Sequence, residues 1–348
     1  MAETIIYPKN PEFEGLPEYQ PTLGEKDPET GEPLYPYLAN IYTGLVSAVN
    51  LSIKLKRPLI LEGEPGCGKT QLARAVAYEF AKKYNIKNYS YTEWTVKSTD
   101  RASDTLYVYD AIKRLYDAQL VTTDPLEKDK ISEHLRDPEH NEYITWGALG
   151  KAFIASQNEQ RMIVLIDEID KGDTDFPNDL LLEIESKKFK VRERNINQEI
   201  KAMFDYAPII FITSNAQKQL PDAFLRRCLY HYIEFPKEAD LEKIIKARFG
   251  NEWSDDLTKI ALKRFVKLRQ LMEEEKGDLS KKVSVSELID WIQSLKFHPT
   301  KSKTKQAITK EINQLLEKEV LPYHHTLLKT KEDLEFLDYL ADDLSSTA

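Results

Sequence analysis

The stretch Gly63-Glu64-Pro65-Gly66-Cys67-Gly68-Lys69-Thr70, GEPGCGKT, decides the fold. It fits G-x-x-x-x-G-K-[ST], the spacing of a loop that wraps a phosphate. Its glycines let backbone N–H groups turn inward, and the helix that follows offers its positive end to the anion. Lys69 is expected to reach the β- and γ-phosphates of a nucleotide, and the Thr70 hydroxyl to ligate Mg2+. The flanks agree. "RPLILEG" is a short apolar run that ends on the loop, and beyond it Leu72, Val76 and Phe80 recur every four residues beside Ala73 and Ala77. The pattern is a buried strand, a loop, then one face of a helix.

The same alternation continues outward. "YSYTEWTV" (Tyr89–Val96) alternates as a strand, while "MIVLI" (Met162–Ile166) and "PIIFI" (Pro208–Ile212) are continuous apolar runs, as in strands covered on both faces. Helical stretches separate them, which predicts an α/β domain of three layers with a parallel sheet. "LYHYIEF" adds a last strand and closes this domain near Phe235. From Pro236 onward the strand signals stop, and successive amphipathic segments predict an all-helical second domain. The expected division is an extended N-terminal arm over 1–33, an α/β core over 34–235 and a helical lid over 236–348. The Pro- and Gly-rich arm is expected to lie on the surface, with order beginning near Leu34. Thr122–Tyr143 reads as a charged surface insertion.

Composition narrows the class. With 348 residues, 41% hydrophobic and 31% charged, the chain is globular and long enough for a large domain and a smaller one. No apolar run is long enough for a membrane span. The start "MAETIIYPKN" has no basic region followed by a long apolar stretch, and the two cysteines form no framework, so a reducing, cytoplasmic setting is expected. A net charge of −9 argues against bulk attraction to nucleic acid. Lys301, Lys303 and Lys305 read as a solvated helix start rather than a binding patch.

A phosphate loop can hold a nucleotide without hydrolysing it, so the remaining parts must be found. "MIVLIDEID" places carboxylates at the carboxyl end of a parallel strand, where such sheets bind ligands. Asp167 is expected to hold Mg2+, and Glu168 to polarise the attacking water as general base. Asp170 reads as structural or as part of a subunit surface. "FITSN" ends another strand with Ser214 and Asn215, and the neutral amide can bond the γ-phosphate or the water without adding negative charge. "LPDAFLRRC" then supplies Arg226 and Arg227. They read either as surface salt bridges or, in a ring, as a guanidinium that reaches a neighbour's γ-phosphate.

"GEPGCGKT", "LIDEID", "ITSN" and "LPDAFLRRC", in that order, resemble an AAA+ ATPase. More narrowly, "RPLILEGEPGCGKTQLARAVA", "VKSTDRASDTLYVYDAIKRLYDAQ" and "LPDAFLRRC" are similar to the patterns of the MoxR family over roughly residues 34–300. The resemblance implies a core of five parallel strands, a helical lid and a ring, usually hexameric, that binds ATP with Mg2+ between subunits. It makes Arg227 a better match to the family's arginine finger than Arg226. It also implies an insertion near Leu106–Leu120 and a hairpin in "KKFKVRERNINQEIKAMF", both facing a pore or client; on residue chemistry Tyr107 and Tyr109 read equally as core packing. The family's frequent partner, a separately encoded von Willebrand factor A protein, is implied in the same way. One departure concerns the lid, where Ser286 stands at a spot that related ATPases often fill with Arg, leaving Lys281 or Lys282 as substitutes.

Weaker signals carry little. His324 and His325 would splay apart on a helix, Cys67 has no His or Asp partner in sequence, and "DLSST" (Asp343–Thr347) matches a metal motif by coincidence. The expected activity is ATP hydrolysis that remodels or matures a partner protein. The alternatives are a nucleic-acid-directed motor or loader, and a nucleotide-gated assembly switch.

Overall fold

The structure, a computed structural model, describes residues 6–28, 30–123, 142–193, 199–250, 255–277, 281–299 and 305–346. The chain divides into two compact units: Met1–Gly15, Gly44–Glu62 and Thr70–Tyr232 in one, and Leu16–Thr43, Gly63–Lys69 and Ile233–Ala348 in the other.

The first unit carries α1 (Leu45–Leu55), β1 (Leu59–Gly63), α2 (Lys69–Lys83), β2 (Tyr91–Thr95), β3 (Tyr107–Tyr109), α3 (Ala111–Thr123), β4 (Ile144–Trp146), α4 (Ala148–Gln157), β5 (Ile163–Asp167), α5 (Phe176–Ser186), β6 (Lys188–Lys190), β7 (Glu199–Lys201), β8 (Ile209–Ser214), α6 (Asp222–Leu225) and β9 (Leu229–Ile233). Five strands form one sheet in the order β2-β5-β8-β1-β9. β5 runs parallel to both β2 and β8, and β8 parallel to β1. This is the parallel five-stranded α/β sheet with flanking helices that the sequence predicts.

Side-chain alternation explains why the central strands read as unbroken apolar runs. Val164 and Ile166 of β5 and Ile210 and Ile212 of β8 share a buried cluster with Leu149 and Phe153 of α4 and Leu180 of α5. Leu165 and Phe211 point to the opposite face and are equally buried. The register Leu61↔Thr213 and Leu165↔Phe211 brings the carboxyl ends of β1, β8 and β5 side by side.

The beginning of the chain departs from the expected surface arm. Phe13 is 1% exposed, and its backbone N–H and carbonyl are both bonded by the Asn50 side chain. The buried Glu79 carboxylate accepts the N–H groups of Glu14 and Gly15. Arg161, fully buried, donates to the carbonyls of Lys9, Ile53 and Ala207. Side chains distant in sequence satisfy a backbone that has no periodicity of its own, so no local pattern announces its order.

Two antiparallel pairs stand outside the main sheet, β3 with β4 and β6 with β7. The second is the hairpin expected before the strand ending in Ser214; residues 194–198 at its turn lie outside the described residues. Tyr107 stacks on Phe189, meets Trp146 edge-on and accepts the Arg192 N–H, so it packs rather than projects. Most of the charged insertion, 124–141, also lies outside the described residues.

The second unit is helical after β9, with α7 (Glu238–Phe249), α8 (Asp255–Lys276), α9 (Val285–Lys296), α10 (Lys305–Lys318) and α11 (Phe336–Ser346). Its core centres on Trp291, which is fully buried and whose indole N–H donates to the Pro322 carbonyl at 2.6 Å. Ser284 and Glu287 form a capping box that starts α9. His324 and His325 lie in a 3-10 turn with ring centroids 4.1 Å apart, contrary to the expected splay. Lys301, Lys303 and Thr347 lie outside the described residues. No helix among the described residues is long and apolar enough to cross a membrane.

Candidate functional site

In the first unit the chemistry gathers on Asp167, the last residue of β5. Its Oδ1 accepts two hydroxyls, Thr70 Oγ1 at 2.9 Å and Thr213 Oγ1 at 2.6 Å. The Thr213 hydroxyl in turn accepts the backbone N–H of Glu168 at 2.8 Å. One threonine thus sets both the orientation of Asp167 and the point where the chain leaves the strand. Glu168 leaves it in the left-handed region, φ 57 and ψ 48, which costs a residue other than glycine about 1–2 kcal/mol.

The Glu168 side chain takes different partners from Asp167, although the two are neighbours in sequence. Its Oε1 accepts the Asn215 side-chain amide at 3.4 Å, and its Oε2 pairs with the Lys171 ammonium. The hydrogen bond that Lys171 donates to Glu168 raises the Lys171 pKa. Asp170 is 3% exposed and holds the next loop, accepting the N–H groups of Asn215 at 3.2 Å and Gln217 at 3.0 Å. Of the two roles left open for Asp170, this is the structural one.

The glycine loop, grouped with the second unit, has its own geometry. Gly66 and Gly68 adopt φ +77 and +94, and a Cβ on Gly66 would stand 2.7 Å from Ser284 Oγ. Lys69 is 6% exposed, with Nζ donating to the Gly63 and Glu64 carbonyls at 2.8 and 2.9 Å. Among the described residues no carboxylate pairs with Lys69, so this buried ammonium is compensated only by neutral dipoles. The Cys67 sulfur lies 3.9 Å from it, but burial pushes the thiol pKa up and keeps it neutral. Glu64 is bound by Arg269, whose guanidinium lies 3.6 Å above the Phe235 ring.

The lid departure takes concrete form. Ser286 donates to the Gly66 carbonyl at 3.2 Å, while Lys281 and Lys282 pair with Glu287 and Glu273. The cation that reaches the loop in their place is Arg269, on another helix.

Arg226 and Arg227 are both exposed at the end of α6. Arg227 Nε bonds Glu185 Oε2 at 2.8 Å, a surface salt bridge, and its Nη1 bonds the Ala223 carbonyl at 2.9 Å.

These residues suit a magnesium nucleotide. Thr70 and Asp167 present hard oxygen donors at one point, whereas no group of three or more His, Cys, Asp or Glu among the described residues could cage a metal. An ion held by two such donors takes the rest of its shell from phosphate and water oxygens, the habit of Mg2+.

A family model described as "ATPase family associated with various cellular activities (AAA)" matches residues 59–237, just over half of the chain. The chain belongs to the AAA family. Its match runs from the start of β1 to just past β9, so it takes in the glycine loop, Asp167, Glu168, Asn215 and both arginines. Among solved structures, C. elegans PCH-2 is 15% identical with a TM-score of 0.37, covering 78% of this chain and 67% of that one. A chain in the HORMA:CdnC:Trip13 complex of E. coli MS115-1 is also 15% identical, with a TM-score of 0.38, covering 79% of this chain and 80% of that one. At those scores neither carries an argument about this AAA protein. No curated protein matches the chain.

Sequence reasoning missed Thr213, Lys171 and Arg269. Thr213 leaves a faint signal, a hydroxyl inside the otherwise apolar "IIFI-T". Arg269 leaves none, since 205 residues separate it from Glu64.

Proposed function

We propose that this AAA protein hydrolyses ATP to ADP and phosphate in a homo-oligomeric ring of MoxR type, and uses the cycle to remodel or mature a partner protein. The observation that carries the reading is the hub at Asp167, where Thr70 and Thr213 meet one carboxylate oxygen while Glu168 accepts the Asn215 amide. A scaffold that only held a nucleotide would have no use for a second carboxylate with partners of its own.

In this reading Gly63–Thr70 cradle the phosphates, and Lys69 trades its carbonyl partners for phosphate oxygens. Thr70 and Asp167 hold Mg2+, which when bound shields negative charge on the phosphoryl oxygens. Glu168 accepts a proton from the attacking water, and Asn215 orients that water or the γ-phosphate. Arg227, with Arg226 beside it, leaves Glu185 and stabilises charge at the site of an adjacent copy. The MoxR pattern supports a hexamer and a protein client, with a von Willebrand factor A protein as one candidate.

The test is phosphate release by the purified chain with Mg-ATP, together with its mass in solution. Magnesium-dependent turnover, a nucleotide-dependent oligomer and loss of turnover in Glu168→Gln are expected. Turnover by a monomer that survives Arg226→Ala/Arg227→Ala would overturn the ring reading. Stimulation by DNA would favour the nucleic-acid motor instead.

A further inference from the structure

One guanidinium holds the backbone from which both exposed arginines emerge. Arg57 Nε donates to the Arg227 carbonyl at 3.1 Å, and Nη2 donates to the Cys228 carbonyl at 3.1 Å and to the Arg226 carbonyl. These are three consecutive carbonyls that begin at Arg226, the residue capping the short turn α6, and run on past it. The next residue continues the clamp, because the Leu229 N–H bonds the Pro58 carbonyl at 2.8 Å. Arg57 and Pro58 therefore bind residues 226 to 229 in succession.

Burial completes the arrangement. Phe224 is 1% and Cys228 7% exposed, so the segment is anchored on both sides while Arg226 and Arg227 face outward. Among the described residues Arg57 pairs with no carboxylate; its donors go to these carbonyls. A planar fork serves several acceptors at once, which an ammonium on a flexible stem does poorly.

The clamp also fixes where the arginines stand along the sheet. It sits before the first residue of β1, five residues from Glu62, or about 16 Å of extended chain. That span exceeds the length of an arginine side chain, so Arg226 and Arg227 start from the end of β1 opposite the one that leads into the phosphate loop.

We propose that Arg57 is a positioning residue for the arginine finger: by binding the carbonyls of 226–228 it aims Arg227 at the ATP of a second copy of this chain. The inference rests on the ring reading above. It gives the strand that leads into one copy's phosphate loop control over hydrolysis in the next copy.

Mixed oligomers provide the test. Arg57→Met alone is expected to lower kcat about 10- to 100-fold, the cost of misplacing a catalytic group by about 1 Å, while KM for ATP stays within about three-fold. Glu168→Gln alone is expected to be inactive. Mixing the two should restore turnover, because the Glu168→Gln copy lends an intact finger to the intact site of the Arg57→Met copy. Arg227→Ala mixed with Glu168→Gln serves as the reference pair. If the reference pair recovers and the Arg57→Met pair does not, the role of Arg57 is overturned and the ring reading stands. If neither recovers, the finger does not act between copies and both fall. Should Arg57→Met fail to fold, Arg57→Lys, which keeps charge and stem, replaces it with the same expected complementation; a wild-type rate in either variant also overturns the proposal.

Discussion

Arg269 donates to both carboxylate oxygens of Glu64 at 2.7 Å, joining the second residue of the glycine loop to a helix that begins 191 residues later. The same guanidinium donates to the Val283 carbonyl and lies over the Phe235 ring, which leaves it 8% exposed. A fork so placed is specific to arginine.

Arg269→Lys should therefore destabilise the protein even though charge is kept. A double-mutant cycle of Arg269→Leu with Glu64→Gln, read by thermal unfolding, should give a coupling of about 1–3 kcal/mol, the range for charge-assisted bonds between groups in contact. Additive losses would show that the pair is incidental.

Thr213→Val keeps the shape of the side chain but removes the hydroxyl shared by Asp167 and the Glu168 N–H. Orientation of the site should suffer more than nucleotide binding. Turnover is expected to fall about 10- to 100-fold, as when a metal ligand loses its supporting bond, with ATP affinity within a few-fold by equilibrium binding. A wild-type rate would remove Thr213 from the site.

Lys171 is half exposed and pairs with Glu168 Oε2. Lys171→Met should free the carboxylate and raise basal phosphate release by about two- to five-fold, the scale of an exposed ion pair. Loss of turnover would instead make Lys171 part of the reaction.

Asp333 offers a pH test in the helical unit. Burial alone would raise its carboxyl, but the Lys276 ammonium and the N–H groups of Lys329 and Thr330 outweigh that and bring its pKa below the usual value. A carboxylate depressed on folding stabilises above its unfolded pKa of about 3.9, and that contribution disappears as pH falls through the folded value. Asp333→Asn should lower the melting temperature at pH 7, and the gap from wild type should close progressively below about pH 4. A gap independent of pH would point to lost packing rather than lost charge.

Much of this protein was legible residue by residue. "GEPGCGKT" between an apolar run and a helical face announces a phosphate loop, because its requirements are local: glycines at positive φ, a lysine and a hydroxyl at set spacing. The apolar runs ending in Asp167 and Ser214 announce parallel strands, because burial on both faces leaves no room for polar alternation. What the sequence could not decide was set by contacts between distant segments. It could not show that Phe13 and its neighbours are built in, since Asn50, Glu79 and Arg161 satisfy that backbone from elsewhere. Nor could it name what holds Glu168 where the chain leaves the strand, because its N–H bonds a hydroxyl 45 residues away. Local rules write the motifs, whereas the aim of each side chain is settled where separate stretches of backbone meet.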